Sequence, residues 1–327
     1  MASLKKPSPC RWGDLDYKTT QLNFKMVQLK QVSLRLKSIK NIQKITKTMK
    51  MVSASKFTRA ERELQAARPF GYGPRKFYES SQLVKGDVDK KSGDKAAKDS
   101  PPSEPVKDKP DEKDAKALKR LYIAVTSDRG LCGGVHSGVA RRIRRDLTAR
   151  KAEGPSSKVV CIGDKSRAML RRIFAPNMLV SVKDIGRIAP VFADASMIAA
   201  AIAESGYIYE FGEIYYNKYF TPVKYELTTI PVFDKVRMES APNMNAFDDV
   251  EDDQLECYAE WTVAALLYYA MKESAASEQS ARMAAMDNAT KNAAEMIRKL
   301  TLLFNRTRQA VITRELIEII SGAAALK

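Results

Sequence analysis

SEQSARMAAMDNATKNAAEMIRKLTLLFNRTRQAVITRELIEIISGAAAL, residues 277–326, is the stretch that decides the fold. From Leu255 to Lys327 there is no proline, and the single glycine is Gly322, close to the end. A proline costs a helix interior about 3 kcal/mol and a glycine about 1 kcal/mol, so nothing here interrupts a helix. At ~1.5 Å per residue, about seventy residues make a rod of roughly 100 Å. The usual helix has about 11–12 residues. A helix this long cannot hide inside one globule and must find a partner along most of its length. Ala289, Met296, Leu300, Leu303, Thr307 and Ala310 follow alternating steps of three and four, with Ala293 filling the first gap. That spacing predicts the a/d seam of a coiled coil. The chain then ends in SGAAAL before Lys327. A free helix end normally carries polar groups for its orphan carbonyls; this one suggests a tip held in an apolar socket of another protein, with a frayed tail as the plainer reading.

The first helix is expected from about Thr20 to Arg68, stopped by Pro69 and Gly71. Val32, Leu36, Ile39, Ile42, Ile45, Met49 and Val52 form one apolar stripe. Lys37, Lys40, Lys44, Lys47 and Lys50 lie on the opposite side, and no acid interrupts them before Glu61. Such a face is usually just solvated; on a rigid rod it also suits an acidic partner.

Between the two helices the pattern changes twice. Residues 71–118 carry almost no large apolar side chains, several prolines and dense mixed charge. Such a segment cannot bury enough surface to offset its ordering entropy, so a disordered or loosely held insertion is expected. From Leu121 strands and helices alternate: LYIAV (121–125), a glycine-rich loop SDRGLCGG (127–134), a basic helix from His136 to about Ala149, KVVCIG (158–163), a helix over 165–174, NMLVSV (177–182), and an Ala-rich helix from Pro190 through Ser205. EFGEIYYNKYF (210–220) and VKYELTTIPVF (223–233) read as two strands meeting near Thr221–Pro222. Three βα units and a hairpin make a Rossmann-like, three-layer α/β domain. The expected order is an N-terminal extension (1–19), a coiled-coil helix (20–70), the insertion (71–118), the α/β domain (119–233), an acidic linker (234–254) and the C-terminal helix (255–327). The fold class is α/β with a long antiparallel coiled coil formed by the two terminal helices.

The strand-to-helix loop invites a nucleotide reading, but it is neither GxGxxG nor GxxxxGK[ST], and Asp128 would repel a phosphate. The structural reading is that Gly130, Gly133 and Gly134 allow a tight turn, with Arg129 bridging Asp128 or a nearby carbonyl. The chain has 327 residues with 56 Lys+Arg against 39 Asp+Glu, a net charge of +17. This excess implies an acidic partner, either nucleic acid, an anionic membrane surface or an acidic protein face. His136 is the one histidine, and Cys10, Cys132, Cys161 and Cys257 form no metal-ligand spacing. No apolar run approaches the ~18–20 residues of a membrane span. No catalytic, cofactor-binding or metal constellation emerges. Asp14 and Asp16 are unusual for a mitochondrial transit peptide.

Three stretches carry a family resemblance: KSIKNIQKITKTMKMVSASKFTRAERE (37–63), SDRGLCGG (127–134) and residues 280–326. They resemble the γ subunit of F-type ATP synthase, and RPFGYG (68–73) with the SGAAAL ending looks most like the mitochondrial members. With the α/β region the resemblance covers about four-fifths of the chain. It implies a central-stalk rotor subunit that is not catalytic alone. Its coiled coil would penetrate an α3β3 hexamer carrying all the nucleotide sites. Its α/β foot would dock on the membrane c-ring with small stalk subunits of the δ/ε type. Proton flow would turn the shaft and drive conformational change and ATP synthesis at the β sites. No cofactor is implied, no nucleic acid, and a peripheral place on the matrix side of the mitochondrial inner membrane. On the matching positions, the resemblance implies that Lys44, Lys47, Met49 and Lys50 face the acidic hinge segment of β. Arg306, Arg308, Gln309 and Thr313 would form a rotational catch on an acidic loop of β. The tip from Ile319 and Ile320 to Leu326 would turn in an apolar sleeve. The insertion is longer than the family norm and lacks the cysteines of the chloroplast thiol switch. The competing reading is a basic coiled-coil protein that binds nucleic acid, although the lysine stripe lacks the interleaved aromatics of a single-strand binder.

Overall fold

The computed structural model describes residues 13–83, 119–150, 157–222, 224–244, 247 and 252–325. Residues 1–12 of the expected 1–19 extension, most of the insertion (84–118) and Leu326 lie outside the described residues, while residues 13–19 of that extension already belong to the first helix, which begins at Gly13 rather than Thr20. The chain divides into two compact units, one of residues 1–51 and 286–327, the other of residues 52–285.

In the larger unit a five-stranded sheet has the order β3-β2-β1-β4-β5. Its strands are β1 (Arg120–Val125), β2 (Lys158–Ile162), β3 (Met178–Val182), β4 (Phe211–Tyr219) and β5 (Tyr225–Phe233). The first four are parallel and β5 runs antiparallel to β4, from Phe211 opposite Phe233 to Tyr219 opposite Tyr225. β1 is central and buried at all six positions, which is why Leu121–Val125, after Arg120, read as an unbroken apolar run. Alternate residues serve two cores. Tyr122, Ala124, Val159, Cys161 and Tyr215 pack with Val139, Ile143 and Leu147 of α2 (Val135–Arg150) and Leu170 and Phe174 of α3 (Asp164–Phe174). Leu121, Ile123, Val125, Ile162, Ile214 and Tyr216 pack with Ile198 and Ile202 of α4 (Phe192–Glu204), Tyr78 of α1 (Gly13–Ser80), and Leu255, Leu266, Leu267 and Met271 of α6 (Asp252–Ala325).

Two expectations need correction. Helix α1 does not stop at Arg68; it continues to Ser80 through Pro69 and Pro74, so the insertion begins later than residue 71. Each internal proline costs a helix about 3 kcal/mol or more, and tertiary packing outweighs that here. Phe70 meets Tyr268 edge-on at 5.3 Å, Phe77 meets Tyr258 at 4.9 Å, and Tyr78 meets Phe233 at 5.0 Å. Such pairs add about 0.5–1.5 kcal/mol each beyond their buried area. Gly71 is part of this contact rather than a terminator, because a Cβ there would lie 2.6 Å from the Tyr269 ring. The acidic linker is the second correction: it contains α5 (Lys235–Glu239), whose Met238 is wholly buried in the main core.

Gly71→Ala should therefore destabilise the full chain by about 1–3 kcal/mol, as overpacking does. In an exposed helix the same change would gain roughly 0.5–1 kcal/mol. Urea unfolding followed by circular dichroism distinguishes the two signs, and a stability gain would refute the close α1–α6 contact.

Candidate functional site

In the smaller unit, burial alternates in steps of three and four along both helices. On α1 the sheltered positions are Leu29, Val32, Leu36, Ile39, Gln43, Thr46 and Lys50; on α6 they are Met286, Thr290, Ala293, Ile297, Leu300, Phe304, Thr307 and Val311. The coiled-coil periodicity is present, but the seam differs from the apolar stripe read along the sequence. On α6 the expected Met296, Leu303 and Ala310 are exposed, and their neighbours Ile297, Phe304 and Val311 take the inward positions. Adjacent apolar residues make both seams equally periodic, so the pattern alone could not choose. On α1 the seam follows the stripe through Ile39 and then departs from it. Ile42, Ile45 and Val52 are 51 %, 58 % and 50 % exposed, while Gln43, Thr46 and Ser53 turn inward.

Polar pairing explains the departure. Thr290 donates from Oγ1 to Thr46 Oγ1 at 2.9 Å, and Lys50 Nζ donates to Asp287 at 2.6 Å. Asp287 also holds Lys291 at 2.8 Å. Hydrogen bonds from Lys291 and then Lys50 keep its carboxyl down at about 2. Sequence reading missed Thr46, Asp287 and Thr290. The signal was a polar residue on each helix at seam spacing, masked by the stronger apolar stripe next to it.

The anticipated partner-binding residues divide into three groups. Lys44, Lys47, Arg306, Arg308, Gln309 and Thr313 are exposed, and Met49 is half-buried. Ile319 and Ile320 are 68 % and 66 % exposed, and Ile312, Leu316 and Ile317 are exposed beside them. Lys50 is taken up by Asp287 within the chain. Thr313 donates its hydroxyl to the carbonyl of Gln309 at 2.9 Å, which leaves only acceptor capacity for a partner. Leu326 lies outside the described residues.

The glycine loop 127–134 belongs to the larger unit. Both carboxylate oxygens of Asp128 are used internally, accepting the N–H of Asp164 at 2.5 Å and of Asp184 at 2.6 Å. This one side chain ties the loops after β1, β2 and β3 together and supplies the start of α3 with an anion where the helix dipole favours one. Arg129 does not bridge Asp128; it acts through its backbone, with its N–H donating to Ser127 Oγ and its carbonyl lying 3.1 Å from His136 Nε2. That carbonyl requires the proton on Nε2, so Ser127 Oγ, 3.2 Å away, also accepts from the ring. The expected role of the three glycines also changes. Only Gly133 has a positive φ, shared with Leu131 in the same turn, and a Cβ at Gly130 or Gly134 would meet only side-chain atoms at ordinary van der Waals distance. The glycines the loop needs are Gly163 and Gly186, with φ of 92° and 94°, where a Cβ would come within 2.7 Å and 2.6 Å of Ser127.

The same loop is fastened to α6. Arg282 donates to the carbonyl of Gly130 at 3.3 Å and to Gln279 at 2.9 Å, and pairs with Glu278. Both charged side chains are almost fully buried, at 5 % and 6 % exposure. Further along, α6 side chains bond the end of β4: the Asn217 N–H to Ser274 Oγ, Ser277 Oγ to the Asn217 carbonyl, and the Tyr219 N–H to Glu273. Lys272 Nζ reaches Glu63 of α1 at 2.8 Å. Sequence reading missed this set; the Glu278–Arg282 spacing of four within an Ala/Ser-rich segment was its only trace. Burial pushes the Cys132 thiol up to about 11 and holds the His136 ring below its ordinary range. Ser127 and His136 are both buried, at 3 % and 6 % exposure. The arrangement fixes geometry, and no three described His, Cys, Asp or Glu side chains gather to hold a metal.

A helical seam with outward apolar and cationic residues, joined to a doubly wound α/β domain through α6, defines a structural subunit of a larger assembly. A family model described as ATP synthase matches residues 28–326. The mitochondrial ATP synthase subunit gamma of Drosophila melanogaster is 50 % identical over 301 residues, spanning 92 % of this chain and 91 % of that protein. The mitochondrial ATP synthase F(1) complex subunit gamma of Rattus norvegicus is 48 % identical over 298 residues, spanning 91 % of this chain and 99 % of that one. A chain in the Tetrahymena thermophila mitochondrial ATP synthase central stalk and c-ring structure is 26 % identical with a TM-score of 0.56, covering 75 % of this chain and 99 % of that one. A chain of the Euglena gracilis mitochondrial ATP synthase, 18 % identical with a TM-score of 0.66 over 91 % of this chain and 94 % of that one, shares the fold. The chain belongs to the ATP synthase family, among its mitochondrial-type gamma subunits. The nucleic-acid reading finds no support in these relatives.

Two outcomes follow from the loop. Glu278→Gln should destabilise the chain by about 3–5 kcal/mol, the cost of leaving a buried charge unpaired. Adding Arg282→Met should recover part of that loss in a double-mutant cycle by urea unfolding; simple additivity would argue against the pairing. His136 has a folded pKa held below its ordinary 6.5. The unfolded chain therefore binds more protons below that value, and this contribution to stability is present above it and is lost as pH falls. His136→Asn should flatten the dependence of the melting temperature between roughly pH 7 and pH 5, measured against the parent chain.

Proposed function

We infer that this chain is the central-stalk rotor of an F1Fo ATP synthase, coupling proton-driven rotation to conformational change at the catalytic sites of β. The observation that carries this reading is the outer surface of the two seam helices. Ile42 and Ile45 on α1 and Ile312, Leu316, Ile317, Ile319 and Ile320 on α6 are all exposed. A run of large apolar side chains toward water on a lone coiled coil marks an interaction surface. An α3β3 hexamer enclosing this shaft would cover them.

The parts then have separate tasks. The apolar tip turns in a sleeve without directional bonds to hold it. Lys37, Lys40, Lys44 and Lys47 are exposed on α1 and offer a charged track to acidic segments of β. Lys50 is occupied by Asp287, so its contribution to that track is indirect. Arg306, Arg308 and Gln309 supply the donors of a catch, and Thr313 shapes it as an acceptor. Hydrogen bonds to charged groups are worth about 1.5–3 kcal/mol, enough to define a dwell without locking the shaft. The α/β domain is the foot, with small stalk subunits and the c-ring as its partners on the matrix side of the mitochondrial inner membrane. The reaction itself, proton-transporting ATP synthesis, belongs to the complex. The chain contributes the turning element and no nucleotide site.

Tagged chain recovered from native extract at moderate salt should bring down α and β in threefold excess, with ATPase activity that the isolated chain lacks. Recovery alone or with nucleic acid would overturn the reading. Arg308→Ala with Gln309→Ala should lower ATPase turnover or coupling in the assembled complex while leaving the foot folded, because the catch loses hydrogen bonds to charged groups worth about 1.5–3 kcal/mol each. Unchanged turnover and coupling would remove these two residues from the catch.

A further inference from the structure

Helices α2 and α3 cover the same face of the sheet, and each returns from the C-terminal edge of the strands to the N-terminal edge, as the parallel β1–α2–β2–α3–β3 order requires. Their C-terminal turns therefore lie at one edge of the domain. Arg171 and Arg172 are exposed in the last turn of α3, Arg144 and Arg145 are exposed more than a turn before the end of α2 at Arg150, and Lys119 at the start of β1 is exposed at the same edge. None of the five has an ion pair among the described residues. Two nearby acids have cationic partners of their own: Asp146 accepts from Arg142 and Glu213 lies near Arg120, and the one Tyr215 O–H, 2.7 Å from Asp146 and 2.5 Å from Glu213, donates to one of the two carboxylates. Two exposed acids also lie toward this edge: Glu204 ends α4 on the opposite face of the sheet, and Glu210 sits next to Lys119, its N–H donating to the Lys119 carbonyl at 3.1 Å.

Two arginines in a last turn are accounted for by the helix dipole. Four arginines on two neighbouring helices, none with an ion pair among the described residues, form a cationic patch on the outside of α2 and α3, with the exposed Glu210 next to Lys119 at its margin. Met169 and Ile173 stand exposed on α3 among these cations. Guanidinium groups fit phosphate oxygens in a bidentate manner, and a spread of them around a few apolar side chains suits a layer of phosphodiesters above hydrocarbon.

We propose that this α2–α3 edge docks anionic phospholipid headgroups at a membrane surface. The proposal adds a lipid contact to the rotor reading without depending on it, since the test below reads the face on the chain alone. Full chain is sedimented with vesicles of phosphatidylcholine, alone or mixed with phosphatidylglycerol. The parent chain should bind only the mixed vesicles. R144E/R145E/R171E/R172E should lower that binding at least about tenfold. K37E/K40E/K44E/K47E, with the same change in net charge on the coiled coil, should lower it no more than about threefold. The milder R144Q/R145Q/R171Q/R172Q, for use if charge reversal disturbs folding, should still lose about fivefold or more. An equal loss in the two reversed sets, no loss in the arginine set, or binding of the parent to polyglutamate but not to the mixed vesicles would each overturn the proposal. Failure here leaves recovery of α and β by the chain unaffected, so the two readings fail separately.

Discussion

From Thr262 to Arg282 helix α6 is buried on nearly every side. A helix in that position has no solvent face on which to place polar groups, and an unpaired polar group in the interior costs several kcal/mol. Yet this stretch holds Lys272, Glu273, Ser274, Ser277, Glu278, Ser280 and Arg282, all buried. Each has a partner: Glu63, the Tyr219 N–H, the Asn217 N–H and carbonyl, the Arg282–Glu278 pair, and the carbonyls of Pro222 and Gly130. Apolar contact alone would let a helix slide or rotate at little cost, because one methyl group replaces another. Hydrogen bonds to fixed backbone atoms at the end of β4 do not allow that. The rotation of α6 about its own axis is thereby fixed to the sheet, which a subunit that transmits torque requires.

That constraint also accounts for the glycine loop. Its sequence looks like a phosphate cradle, and its backbone lies at the C-terminal edge of a parallel sheet, where ligands of doubly wound folds bind. Here the space is filled by the protein. Asp128 occupies the start of α3 with its own carboxylate, and Arg282 enters from α6 to take the carbonyl of Gly130. Ser127 is so closely approached that Gly163 and Gly186 cannot carry a Cβ. The position that serves other α/β folds as a binding site here joins the foot to its long helix.

Much of this architecture was legible in the sequence, for physical reasons that differ by region. The strands of the α/β domain announced themselves because a central parallel sheet is apolar on both faces, and β1 through β4 match the expected runs to within a residue or two. The length of α6 followed from the absence of helix breakers. The end of α1 was misread because a proline's local cost is visible in sequence, while the rings that repay it, Tyr258, Tyr268 and Phe233, come from residues more than a hundred positions away. The seam was read in the wrong phase for a similar reason. Ile42, Ile45, Met296 and Leu303 follow the three–four rule as well as the true seam residues do, and only pairing across helices decides between them. Among site residues, the exposed lysines, arginines and tip isoleucines were placed by family resemblance. The buried Glu278–Arg282 and Thr46–Thr290 pairs stayed hidden because each depends on a partner that spacing cannot supply.

The misread phase has a physical meaning. A two-helix coiled coil made for stability would bury Ile42, Ile45, Met296 and Leu303, each worth about 1.5–3 kcal/mol when removed from water. This chain exposes them and gives Gln43, Thr46 and Lys50 sheltered positions instead. The seam is therefore weaker than the composition allows. A polar layer such as Thr46–Thr290 with Lys50–Asp287 costs stability but specifies register, the best-attested use of polar groups at a and d positions. With the register set by polar pairs, the apolar side chains are free to face outward. An exposed apolar face makes lasting sense only where a second surface covers it, and one without directional bonds lets that surface slide past. Seen this way, the seam gives up stability for register so that the outer face can be both covered and turned.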